Sequence, residues 1–120
     1  MKKMLIILQI AFLSYGISTA QSNSSKLTEV KIATTAQCGM CKERIETAMA
    51  FEKGIKSSEL DLETKILTVV YKTGKSSNEK IRLAVTKLGY DADDMKKDEK
   101  AYKSLPGCCK LPDDPEHVKH

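Results

Sequence analysis

Thr28-Glu29-Val30-Lys31-Ile32-Ala33-Thr34-Thr35-Ala36-Gln37-Cys38-Gly39-Met40-Cys41-Lys42-Glu43-Arg44-Ile45 changes its apolar period once, and the change falls on a pair of cysteines. Glu29 to Thr34 alternates polar and apolar residues, so Val30 and Ile32 share one face of a strand. Beyond Gln37 the spacing lengthens. Cys41, Ile45, Ala48 and Met49 stand at i, i+4, i+7 and i+8, which predicts a helix running to about Glu52 with Lys53-Gly54 as its stop. Cys38-Gly39-Met40-Cys41 therefore occupies the loop and first turn where a strand gives way to a helix.

Downstream, Ile55 to Glu63 and Ile66 to Lys72 read as the strands of a hairpin around Thr64-Lys65. Leu60 and Leu62 alternate in the first, and Leu67, Val69 and Tyr71 in the second. Ser76 or Ser77 can cap a second helix, whose stripe is Ile81, Val85 and Leu88 and whose end is Gly89. A short fourth strand is expected at Tyr90 to Asp94. This β-α-β-β-α-β order predicts an α+β, ferredoxin-like sandwich over residues 28–95, with a four-stranded antiparallel sheet and two helices on one face. Its core should hold Ile32, Ile45, Leu62, Val69, Ile81 and Val85. Residues 96–120 read as a polar tail. A charged run, Lys96 to Lys100, is followed by Tyr102 and Leu105, which can dock on the domain. From Pro106 onward the chain carries all its prolines and should be irregular.

Working toward the N-terminus, residues 21–27 are a Ser/Asn-rich flexible leader. Residues 1–20 have the form of a secretory signal: basic Lys2-Lys3, an apolar Met4 to Leu13, and Ser18-Thr19-Ala20 as a cleavage site. The apolar stretch is too short for the roughly 20 residues that span a bilayer. A periplasmic or secreted protein is expected, with about one hundred residues left after cleavage, enough for one small domain. The formal charge of +4 falls to +2 without Lys2 and Lys3, and acidic and basic residues are interspersed. No basic cluster alternates with aromatics, so no nucleic-acid partner is expected.

Two thiols at a helix start meet unpaired backbone N–H groups and the positive end of the helix dipole, which favours thiolate, and Lys42 and Arg44 add positive charge. Two soft thiolates with no carboxylate or imidazole between them suit Cu(I), with Zn(II) as an alternative. Such a site is open. A third thiolate from a partner can enter and take the ion, whereas structural zinc sites normally close with four ligands. The same spacing also serves thiol-disulfide exchange, and in an oxidising compartment the cysteines can form structural disulfides instead. A Cys38–Cys41 bridge would close only a tiny loop and stabilise little. No Gly-rich phosphate loop or Ser/His/Asp arrangement is apparent, so no enzymatic activity is expected. Glu43 and Glu46 read as helix-surface charges.

From Thr28 to about Asp94 the chain resembles the heavy-metal-associated domain, the family of small copper chaperones, the N-terminal modules of copper-exporting ATPases and periplasmic mercury-binding proteins. Cys38 and Cys41 match the family's metal-binding pair, and Leu88-Gly89-Tyr90-Asp91-Ala92 looks like the segment that ends its second helix and opens its fourth strand. The resemblance implies the fold above, a metal cargo of Cu(I), Zn(II) or Hg(II), and a Tyr90 ring packed near the metal loop. It also implies a metal-transporting membrane protein or another thiol-rich carrier as partner. The family usually has methionine two residues before its first cysteine; this chain has Ala36 there and a methionine, Met40, inside the pair. Thioredoxin-like proteins carry a cis-proline loop facing their cysteines, and no proline lies between Cys41 and Leu105.

A second cluster remains. Cys108, Cys109, His117 and His120 place two further thiols and both histidines in the tail. The tail can fold back over Cys38 and Cys41 and raise the coordination number, or hold an ion alone, and mixed Cys/His ligation would favour Zn(II). Cys38 and Cys41 are thus the principal candidate ligands, with Cys108 and Cys109 auxiliary. The expected state is a monomer or a metal-bridged dimer.

Overall fold

The computed structural model describes residues 26–119. The expected signal segment, most of the leader and His120 lie outside the described residues. Asp61 sets the hairpin turn, its carboxylate accepting from the backbone N–H groups of Glu63 at 2.8 Å and Thr64 at 3.2 Å. This Asx-type turn joins β2 (Ile55–Asp61) to β3 (Ile66–Lys72). β3 pairs along its other edge with β1 (Leu27–Ala33), giving an antiparallel sheet of order β1-β3-β2. In the register Ile32 faces Leu67, Val30 faces Val69 and Leu60 faces Leu67, so these side chains share one side of the pleat.

That side is covered by α1 (Gly39–Phe51) and α2 (Asn78–Lys87). α1 contributes Cys41, Ile45 and Met49 to the core and α2 contributes Ile81 and Val85. Ser77 caps α2, its hydroxyl accepting from Lys80 N at 3.1 Å. The architecture is the expected α+β, ferredoxin-like one, with both main helices on one face of the sheet.

Two expectations need correction. The sheet is three-stranded among the described residues, because the fourth strand is reduced to an antiparallel bridge between Thr34 and Ala92. Asp93 takes a left-handed backbone (φ 54°), and its carboxylate captures the N–H of Ala33 at 2.9 Å while its own N–H donates to Ala33 O. Met95 then turns back and exchanges backbone hydrogen bonds with Ala92, so the ladder stops after one step. Leu62, expected in the core, lies beyond the end of β2 and is exposed; Leu60 is the buried leucine of that strand.

Residues 96–119 are more ordered than a polar tail. Asp98 caps α3 (Glu99–Lys103) by accepting from Ala101 N, and its own N–H donates to Thr86 O at 3.0 Å, tying the arm to the end of α2. Gly89 makes this approach feasible: with φ 104°, it has no Cβ where one would lie 2.9 Å from Tyr102 N. Leu105, Cys108 and Cys109 then enter the main core, the cysteines on a 3₁₀ turn (Gly107–Cys109) packed against α1. Tyr102 pins the last loop, its hydroxyl donating to Asp114 at 2.8 Å and accepting from Leu111 N at 2.9 Å.

Candidate metal centre

Cys38 is the residue that caps α1, with extended backbone (φ −150°, ψ 176°) and no hydrogen bond from its side chain to the helix. Its sulfur is left for other contacts. Cys41 lies in the first turn and is fully buried on the core-facing side of α1. The two sulfurs are 3.6 Å apart, and all four cysteines are free thiols. The sequence-predicted pair is therefore brought together, one sulfur half-buried on a loop and one fixed in the core.

The arm delivers the auxiliary pair to the same place. Cys109 Sγ lies 3.8 Å from Cys38 Sγ, and Cys108 Sγ lies 3.9 Å from Cys109 Sγ. The sulfurs of Cys38, Cys108 and Cys109 all fall within 4.8 Å of one another, a spacing open to a shared metal ion. Met40 is half exposed, yet its thioether accepts a contact from Cys108 Sγ at 3.4 Å. His117 is not in this sulfur cluster. Its Nδ1 donates to Lys110 O at 2.8 Å, and the ring instead lines a cavity of about 260 Å³ with Gln37, Cys38, Cys108, Val118 and Lys119.

Behind the sulfurs stands Tyr90, 1% exposed. Its hydroxyl has no hydrogen-bond partner of good geometry, and its polar neighbours are the thiols of Cys41 and Cys109. Burial first, and then those two thiols, push its ionisation far above the ordinary tyrosine range. Burial, reinforced by Cys41 and only partly opposed by the neighbouring Tyr90 hydroxyl, likewise raises the Cys109 thiol well above its usual value. Ala36 is fully buried under the loop, so the position usually held by methionine is filled here by a methyl group.

Glu46, expected as a helix-surface charge, is instead partly buried and engaged by a neighbouring strand. Its carboxylate accepts from Leu60 N at 2.9 Å and pairs with Lys42, whose Nζ also donates to Leu60 O at 2.9 Å. The clamp ties the cysteine-bearing helix to the edge strand β2. Partial burial pushes the Glu46 pKa up, but the Lys42 hydrogen bond, the Leu60 N–H and the Lys42 charge outweigh it and hold the group below the usual glutamate range. Its i, i+4 spacing from Lys42 was visible beforehand; the strand N–H it receives was not. Glu43 is exposed, as expected.

Comparison with known proteins places this arrangement. Residues 33–91 match the heavy-metal-associated domain family, and over that segment the chain belongs to it. Among solved structures, a CopZ metallochaperone is 26% identical with a TM-score of 0.52, the match covering 54% of this chain and 98% of that one. The water-soluble region of the P-type ATPase CopA from Bacillus subtilis is 25% identical with a TM-score of 0.54, covering 57% and 46%. Oxidized MerP from Ralstonia metallidurans CH34 shares the fold at 20% identity, with a TM-score of 0.53 and coverage of 57% and 96%. Comparison with curated proteins gives no match. The site is a cysteine-based one suited to a soft metal ion. No helix among the described residues is long and apolar enough to cross a membrane.

Proposed function

We propose that the protein binds Cu(I) as cargo through Cys38 and Cys41 and relays it outside the cytoplasm. The observation that carries this reading is the 3.6 Å separation of the two sulfurs at the start of α1 in a heavy-metal-associated domain. Soft thiolates with no oxygen ligand among them select a soft, low-coordinate ion over hard ones. The likeness to a metallochaperone and to the soluble region of a P-type ATPase supports carriage rather than catalysis. The partner is then a metal-transporting membrane protein or another thiol-rich carrier, which takes the ion by thiolate exchange. The signal-like residues 1–20 support a periplasmic or secreted location.

The test is a competition titration of the reduced full chain against a chromophoric Cu(I) chelator. One ion per chain, held much more tightly than micromolar, is expected. No retained ion would redirect the reading to a thiol-disulfide redox protein using the same pair.

A further inference from the structure

We propose that Cys108 and Cys109 are metal ligands, so that the arm closes the dithiol site into a shell of three or more thiolates built on Cys38, Cys108 and Cys109. This rests on the soft-metal reading above and goes beyond it: the family match ends at residue 91, before either cysteine. The first support is geometric. With metal–sulfur bonds of about 2.3 Å, thiolates around one ion lie about 3.8 Å apart in a tetrahedral shell and about 4.0 Å apart in a trigonal one. The structure holds Cys38–Cys109 at 3.8 Å and Cys108–Cys109 at 3.9 Å, with Cys41 another 3.6 Å from Cys38. The sulfurs of Cys38, Cys108 and Cys109 therefore need little movement to share an ion, and Cys41 adjoins them through Cys38.

The second support is that the arm is built to this position. Gly89 admits Tyr102, and Gly107 lacks a Cβ that would lie 2.7 Å from Glu116 O and from Val118 Cγ2, where the chain end crosses back over the turn. Lys110, itself buried, pairs with Glu116 across the same crossing. The third support is the Tyr90 hydroxyl, buried and without a well-placed partner beside Cys41 and Cys109. A thiolate formed on metal binding gives that hydroxyl an acceptor, in the way outer groups commonly support ligands. The cavity of about 260 Å³ that reaches Cys38 and Cys108 gives the ion an entrance between arm and loop.

The consequence is a closed site from which an ion leaves only when the arm lifts. X-ray absorption at the copper edge, on the reduced, Cu(I)-loaded full chain, counts the sulfur ligands directly. Three or more are expected, falling to two in C108S/C109S, with affinity about a hundredfold weaker as the tethered pair's contribution is lost. C108A/C109A repeats the test without placing hydroxyl groups in a buried site, and circular dichroism confirms that either variant is folded. Two sulfurs in the parent, or an unchanged count and affinity in a folded variant, overturn the arm's role while leaving the proposed function standing. A parent chain that retains no ion overturns both.

Discussion

Leu105→Ala should free the arm while leaving the domain folded. Leu105 is 6% exposed and packs into the same core as Ile45, Val85 and Tyr90, whereas α3 just before it buries no residue at all. Much of the arm's apolar anchoring therefore falls on this one side chain, together with Cys108, Cys109 and the partly buried Tyr102. Truncating a buried leucine costs roughly 2–5 kcal/mol, and a site at the margin of the core belongs at the low end, about 2.5 kcal/mol. If that loss falls on arm docking, the open state becomes about 60-fold more populated, at 1.4 kcal/mol per factor of ten. Amide hydrogen exchange on the reduced apo chain reads this directly. Peptides from residues 96–119 should lose protection by about that factor, while those from β3 and α1 keep theirs. Equal loss of protection in β3 and in the arm would mean that the arm does not open by itself, and the reasoning would be refuted.

Three further outcomes follow from the site. Cys38→Ser should abolish tight Cu(I) binding with little change in stability, because Cys38 is a half-buried loop residue; Cys41→Ser should also lose about 1–3 kcal/mol by placing a hydroxyl in the core, as measured by denaturant unfolding. Glu46→Gln should destabilise the protein at neutral pH by about 1–2 kcal/mol. The folded-state pKa of Glu46 is lowered, so its contribution is fully present above the unfolded value near 4.5 and is lost as pH falls through the folded value. The gap between parent and variant should therefore close on acidification below 4.5; a constant gap across that range would contradict the clamp. Tyr90→Phe should leave apo stability within about 1 kcal/mol, since the hydroxyl has no well-placed partner to lose, yet weaken metal binding about tenfold. Equal effects on apo and loaded protein would count against a role for the hydroxyl at the metal.

The strands, the two main helices and the cysteine pair were legible because each rests on local periodicity. Ile32, Leu67 and Val69, and Ile81 and Val85 repeat at the strand or helix period and land in the core, with the partly buried Val30 packed against it. What escaped depended on partners distant in sequence. Asp93 reads as one more polar residue in a strand, and only its capture of the Ala33 N–H shows why the ladder stops. Leu62 continued an apparent alternation, but the Asp61 turn begins one residue earlier and sends it to solvent. Glu46 showed its Lys42 partner at helical spacing and hid its strand partner. The tail was legible in part: Tyr102 and Leu105 were expected to dock on the domain and do so, but its prolines and charges signal irregular chain and do not reveal that Gly89 leaves room for Tyr102. Cysteine count alone raised the idea that Cys108 and Cys109 approach Cys38; the arm's docking supplied the distances.

Cys38, Cys41 and the arm differ in how freely each can move, and that ordering bears on how an ion would be handed over. Cys41 is fixed in a packed helix, Cys38 caps that helix from the preceding loop with no side-chain bond to it, and Cys108 and Cys109 ride on an arm anchored by a few side chains. A dithiol alone exchanges its ion as soon as a third thiolate arrives. With the arm docked, an incoming carrier competes against tethered thiols whose effective concentration is on the order of millimolar for a short connection. Dilute acceptors then fail unless they also displace the arm, for example by docking where it lies. Transfer to a small dithiol should therefore be slow in the parent and about a hundredfold faster in C108A/C109A, and Leu105→Ala should accelerate it with every thiol intact. A Leu105→Ala chain that opens its arm by hydrogen exchange but transfers its ion no faster would separate arm position from metal release, and the gate would have to lie in the Cys38 loop instead.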